Sequence, residues 1–219
     1  MKKKAVYFFP GLGASPKIFE HISLSKDYFD IILLEWKLPT HQNEHLTDYV
    51  SRVCKDIVHN KPILIGVSFG GIIVQEIAKQ INTEKVIIIS SIKSHKELPT
   101  RLKLIRDTNA YKLFPTKLVE NFEGYAKFFL GNYLKKRREI YKTYLSVRDP
   151  TYLKWAIYNV LHWKQENPNP KVIHIQGTED EVFPVKNINN FIPVENGTHI
   201  MILTKSKLIS TILRKYLTN

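Results

Sequence analysis

A single cysteine, Cys54, stands among 219 residues, so no intramolecular disulfide framework staples this chain, and a reducing compartment suits it. No apolar run approaches the roughly 18 residues of a membrane-spanning helix. Internal repeats, low-complexity tracts and clustered metal ligands are missing too. The glycine-containing loop near the N-terminus is not a G-x-G-x-x-G fingerprint, and no phosphate-binding lysine follows it. Solenoids, disulfide scaffolds and membrane spans are thereby excluded from the expected classes, and no metal or cofactor is expected. Acidic residues are the scarcer sign: 20 against 33 basic ones leave a net charge of +13, with clusters at Lys2-Lys3-Lys4 and Lys135-Lys136-Arg137-Arg138. Such an excess can mark a surface for nucleic acid, anionic lipid or an acidic substrate. Here the charge is spread along the whole chain without a nucleic-acid motif, which reads as a lysine-rich solvated face, and no nucleic-acid partner is expected.

What is present is ordinary globular composition, with 43% hydrophobic residues, enough for one domain with a full core. Met1-Lys2-Lys3-Lys4 followed by Ala5–Phe9 imitates the start of a signal peptide. Pro10 and Gly11 end the apolar run too early, however, and no small-residue cleavage site follows. The run reads as a first core strand and the protein as cytoplasmic. Cys54, in the helical-looking stretch from His45 to His59, reads as a buried structural thiol.

Strand-like runs recur at Ala5–Phe9, Ile31–Glu35, Pro62–Val67, Lys85–Ser90 and Lys171–Gln176, several of them apolar at consecutive positions, as expected when both faces of a sheet are covered. A sixth, Phe191–Val194, contains Pro193 and suits an edge. Helical patterns lie between them at Pro16–His21, Leu46–His59, Phe69–Ile81 and Lys205–Leu217. This alternation predicts an α/β fold with an open, mainly parallel six-stranded sheet flanked by helices. From about Ile92 to Pro170 no strand pattern appears, only helical segments such as Lys117–Leu130, Lys135–Val147 and Thr151–Glu166. We read residues 1–219 as one domain and residues 92–170 as a helical lid inserted over the carboxyl edge of the sheet, where ligands of α/β sheets bind. Its many aromatics (Tyr111, Phe114, Phe122, Tyr125, Phe128, Phe129, Trp155, Tyr158, Trp163) can line an apolar pocket, although large apolar residues more often pack a core.

The most informative segment is Gly66-Val67-Ser68-Phe69-Gly70, a G-x-S-x-G pentapeptide between an apolar strand and an apolar helix. In that context it reads as a nucleophile elbow, where Gly66 and Gly70 lack the β-carbons that would collide as strand and helix pass. A serine hydroxyl is a poor nucleophile at neutral pH and needs a base, which in turn needs an orienting partner. Downstream, Ile173–Pro184 runs from strand to loop and carries Asp180. Glu195-Asn196-Gly197-Thr198-His199 follows the last strand and carries His199. The order serine, acid, histidine is that of the α/β-hydrolases.

Over nearly its full length the chain resembles a small α/β-hydrolase-fold protein. Ser68 matches that family's nucleophile, Asp180 its acid in a G-x-x-D-x-x-x-P loop, and His199 its base in a G-x-H-type loop. Glu179 and Glu181 flank Asp180, but the spacing to Gly177 and Pro184 favours Asp180. The rival position for the acid, after the strand that follows the elbow strand, holds Ser90-Ser91. His174 reads as a core or supporting histidine, and His95 and His162 as lid residues within possible reach of substrate. The resemblance also implies an oxyanion hole made by the backbone N–H of Phe69 and one from Phe9-Pro10-Gly11-Leu12-Gly13-Ala14-Ser15. That loop resembles the family's H-G-x-G loop with Pro10 in the histidine position; by position the resemblance makes the N–H of Leu12 the second donor, and the departure at Pro10 bears on the side-chain bracing of the loop, not on the donor.

The expected activity is a serine hydrolase cleaving a small-molecule carboxylic ester or thioester through an acyl-enzyme. An acyltransferase or lyase on the same triad, or a non-catalytic binding protein with a basic surface, are the alternatives. Neither the acyl group nor the leaving group is readable from these residues.

Overall fold

The computed structural model describes residues 3–113 and 143–218. The expected helix Lys117–Leu130, most of Lys135–Val147, and Phe114, Phe122, Tyr125, Phe128 and Phe129 lie outside the described residues. Six strands form one sheet: β1 (Lys4–Phe9), β2 (Phe29–Leu33), β3 (Ile63–Val67), β4 (Lys85–Ile89), β5 (Ile173–Gly177) and β6 (Ile192–Val194). Their order is β2-β1-β3-β4-β5-β6, and every pair is parallel, so the sheet is wholly rather than mainly parallel. β6 lies at an edge, where Pro193 is tolerated.

Alternation along the strands sends side chains to two apolar faces. Val6 and Phe8 join Ile63, Ile65, Ile87, Ile89 and Ile175 on one side, and Tyr7 and Phe9 join Leu64 and Ile88 on the other. The first face is covered by two C-terminal helices, α5 (Met201–Thr204) and α6 (Ser206–Thr218), with Ile209, Leu213 and Leu217 buried. The second is covered by α1 (Leu46–Cys54), α2 (Phe69–Gln80) and α4 (Pro150–His162). Between β4 and β5 the described elements are helical: a turn at His95–Glu97, α3 (Thr100–Asp107), a turn at Ala110–Leu113, and α4. α4 starts where Asp149 accepts from the Tyr152 N–H and Pro150 fills the first turn.

Boundaries differ from the sequence pattern where tertiary contacts intervene. The periodicity of Leu46–His59 continues past Cys54, but the helix ends there because the Tyr7 hydroxyl on β1 accepts from the Val58 N–H at 3.2 Å and bonds His59 Nδ1 at 2.7 Å. β2 begins and ends two residues early because β1, its one partner among the described residues, pairs Lys4 with Phe29 and Phe8 with Leu33. Pro16–His21 makes only a 3₁₀ turn, Pro16–Phe19. Cys54 is half-buried at the core margin rather than fully enclosed; that burial raises its thiol pKa.

Candidate active site

After β1 the chain runs outward to β2 and then returns to the far side of β1 as β3. Strand order therefore reverses between β1 and β3, the kind of switch point at whose carboxyl side ligands of open α/β sheets bind. Phe9 pairs with Gly66, so the Pro10–Ala14 loop emerges beside Val67 and Ser68. β5 and β6 end nearby in register, Gly177 opposite Val194, and carry the loops with Asp180 and His199.

Ser68 sits at φ 53° and ψ −120°, a left-handed backbone that costs a non-glycine residue about 1–3 kcal/mol. The surroundings hold it there: its N–H donates to Ile89 O at 2.9 Å, and Ser91 Oγ donates to its carbonyl at 2.7 Å. A β-carbon on Gly66 would come within 2.2 Å of Gly70 O, the expected strand–helix approach. Gly70 has another reason. A β-carbon there would meet Pro10 O at 2.4 Å and Phe9 O at 2.5 Å, so it clears the loop after β1 rather than its own strand.

Ser68, His199 and Asp180 stand in a line: Ser68 Oγ is 3.0 Å from His199 Nε2, and His199 Nδ1 is 2.9 Å from Asp180 Oδ2. An ionised carboxylate only accepts, so Nδ1 carries the proton and Nε2 is left to accept from the serine hydroxyl. Phe183 packs edge-on against the imidazole at 5.6 Å. Asp180 is 3% exposed, while Glu179 and Glu181 beside it face solvent. A carboxylate this deep costs several kcal/mol unless its lone pairs are met. Four donors meet them: the Val182 and Phe183 N–H groups at Oδ1 (2.8 and 2.9 Å), and Gln176 Nε2 (2.9 Å) with His199 at Oδ2. Gln176 also donates to Phe183 O and accepts from His174 Nε2 at 3.1 Å. Burial, with the charge of Lys93 nearby, pushes the His174 pKa down to about 4, so at neutral pH it is an uncharged donor holding Gln176 in place.

On the other flank, Leu12 is partly exposed and Phe69 buried, and neither N–H donates to another described residue. The loop itself is braced. Trp36 Nε1 donates to Gly11 O at 2.9 Å, the Gly13 N–H donates to the Tyr152 hydroxyl at 3.2 Å, and Val147 N–H donates to Gly13 O at 3.0 Å. Trp36 and Tyr152 were not foreseen from sequence. Pro10 in the histidine position signals that a brace must come from elsewhere, but nothing local says from where. His95 bonds Gln165 O and His162 bonds Tyr158 O, and neither joins the Ser68 network. A cavity of about 510 Å³ between residues 42–46 and α4, lined in part by Tyr111, Lys154, Tyr158 and Asn159, contains none of these groups. Among the described residues no cluster of three metal-ligating side chains occurs, and no helix is long and apolar enough to cross a membrane.

Comparison with known proteins gives a family and a fold. The model of the uncharacterised protein family UPF0227 matches residues 10–194. No curated protein matches the sequence. Among solved structures, a thermophilic esterase from Thermogutta terrifontis, with malate bound, superposes with a TM-score of 0.69 at 14% identity, over 99% of this chain and 90% of that one. An epoxide hydrolase from Bacillus megaterium, a mutant complexed with its product, gives 0.70 at 15% identity over 100% and 94%. A bromoperoxidase from Bacillus anthracis gives 0.68 at 14% over 100% and 93%. At such identities the likeness is one of fold.

Proposed function

We propose that this chain, which belongs to the UPF0227 family and has the α/β-hydrolase fold, is a serine hydrolase of carboxylic esters or thioesters. The observation that carries the reading is the hydrogen-bonded line from Ser68 through His199 to Asp180, beside two backbone N–H groups without partners among the described residues. In this mechanism His199 Nε2 takes the proton as Ser68 Oγ attacks the acyl carbonyl. Asp180 holds the imidazole in the required tautomer and stabilises the imidazolium. The oxyanion lies against the Leu12 and Phe69 N–H groups. The leaving group departs with the proton from His199. Water, deprotonated by the same imidazole, then releases the acid and regenerates Ser68.

Residues 92–170 act in this proposal as a cap over the carboxyl edge. Its support is that α4 reaches the oxyanion loop through Tyr152 and packs Trp155 against the Phe69 ring at 5.8 Å. A cytoplasmic setting, in keeping with the lone Cys54, completes the proposal. A p-nitrophenyl ester chain-length series run beside acyl-CoA thioesters tests the activity and its acyl preference. Ser68→Ala is expected to lower turnover of the best substrate by about 10³-fold or more. Equal turnover by wild type and Ser68→Ala would remove the serine from the role, and product formed only with an added acceptor would favour acyl transfer.

A further inference from the structure

We propose that Trp36 is a positioning residue for both oxyanion donors, taking the place of the side-chain brace that Pro10 removes. The inference deepens the serine-hydrolase reading and rests on it. Trp36 follows β2 and touches both halves of the site. Its indole N–H donates to Gly11 O at 2.9 Å, and its ring lies on Phe69, centroids 5.2 Å apart and planes 12° from parallel.

The first contact acts through peptide geometry. Every described peptide bond is trans, so the Gly11 carbonyl and the Leu12 N–H lie in one rigid plane and point in opposite directions within it. Drawing the carbonyl onto the indole, with the Ala14 N–H as a second donor at 3.0 Å, leaves the Leu12 N–H directed away from Trp36. Gly11 itself lies against the nucleophile, where a β-carbon on it would contact Ser68 Cβ at 3.4 Å. Without the indole bond only the Ala14 N–H, of the described donors, holds that carbonyl, so the peptide, and the Leu12 donor with it, is held less firmly. The second contact fixes the residue that carries the other donor.

The indole is in turn wedged by Phe9 (4.7 Å, edge-on) and Tyr152 (5.1 Å), and Tyr152 takes the next N–H of the loop, that of Gly13. Trp36 is therefore held by packing and spends its one donor on the loop.

Two replacements separate shape from hydrogen bond. Trp36→Phe keeps an aromatic ring, and 3-benzothienylalanine at position 36 keeps the bicyclic outline while replacing N–H by sulfur. With p-nitrophenyl acetate, the benzothienyl protein is expected to lose about tenfold in kcat with KM changed less than twofold, at an unaltered thermal midpoint. Trp36→Phe should lose at least as much. In ¹⁵N-labelled protein the Leu12 amide cross-peak should broaden or shift in the benzothienyl protein. A benzothienyl protein with wild-type kcat, or an unmoved Leu12 cross-peak, would overturn the proposal. Absence of Ser68-dependent turnover in wild type is a separate failure, that of the hydrolase reading itself, and it would overturn the catalytic role of Trp36 as well.

Discussion

The two flanks of the Ser68–His199 pair are built in opposite ways. On the acid flank every acceptor of Asp180 is met, and three of its four donors, from Gln176, Val182 and Phe183, lie within four residues of it in sequence. On the nucleophile flank the Leu12 and Phe69 N–H groups stay free of described partners, and the loop that presents one of them is held from afar. Trp36 is 25 residues from its acceptor and Tyr152 is 139 residues from its donor. In the proposed mechanism the group that must keep one charge and one orientation is saturated. The groups that would receive charge later are left as open donors, and the rigidity goes into the scaffold around them. Stability and catalysis should therefore fail together on the acid flank and separately on the other.

The largest effect that sharpens this contrast is expected of Asp180→Asn. Its amide keeps one acceptor oxygen and turns a donor either toward the 182–183 N–H groups, which breaks the bonds of that loop, or toward His199 Nδ1, which favours the wrong tautomer of His199. We expect kcat to fall about 10³–10⁴-fold, measured with the best p-nitrophenyl ester, and the thermal midpoint to drop with it. Full stability with lost activity would break the pairing of the two on this flank.

Acid titration gives the next effect. His174 has a native pKa of about 4 against an unfolded value near 6.5, so between those pH values only the unfolded chain takes up the proton. Stability should be fully present above about pH 6.5 and fall on acidification, by about 3 kcal/mol from this residue by pH 4. Urea unfolding across that range in wild type and His174→Gln measures it. Equal pH slopes in the two proteins would mean that His174 is not the buried neutral group described.

A smaller change comes from Gln176→Met, similar in length but without an amide. It strips one donor from Asp180 Oδ2 and leaves Phe183 O unpaired, a loss of about 1–3 kcal/mol in unfolding free energy with a several-fold fall in kcat. Unfolding free energy within about 0.5 kcal/mol of wild type would show the acid flank to be less tightly bound than its geometry implies.

The same difference decides what the sequence made legible. Asp180 could be singled out from Glu179 and Glu181 because its loop is a local object, with spacing from Gly177 to Pro184 that survives translation into one dimension. The strands were legible for a related reason: runs such as Ile63–Ile65 and Val86–Ile89 are apolar throughout and buried on both faces. Ser68 was legible through the two glycines around it, although the reason for Gly70 lies in the end of β1. Trp36 and Tyr152 were not, since a tryptophan after an edge strand and a tyrosine on a helix look like packing until the fold brings both to one loop. Gln176 was hidden in a strand whose pattern reads as core. The end of α1 was missed because a tyrosine on β1 sets it.

The most direct test of Ser68 as nucleophile is covalent labelling with a fluorophosphonate, followed by intact-mass and peptide mapping. One adduct per chain, located on Ser68 and absent from Ser68→Ala, is the predicted result. An unlabelled wild-type protein, or an adduct that persists in Ser68→Ala, would contradict it.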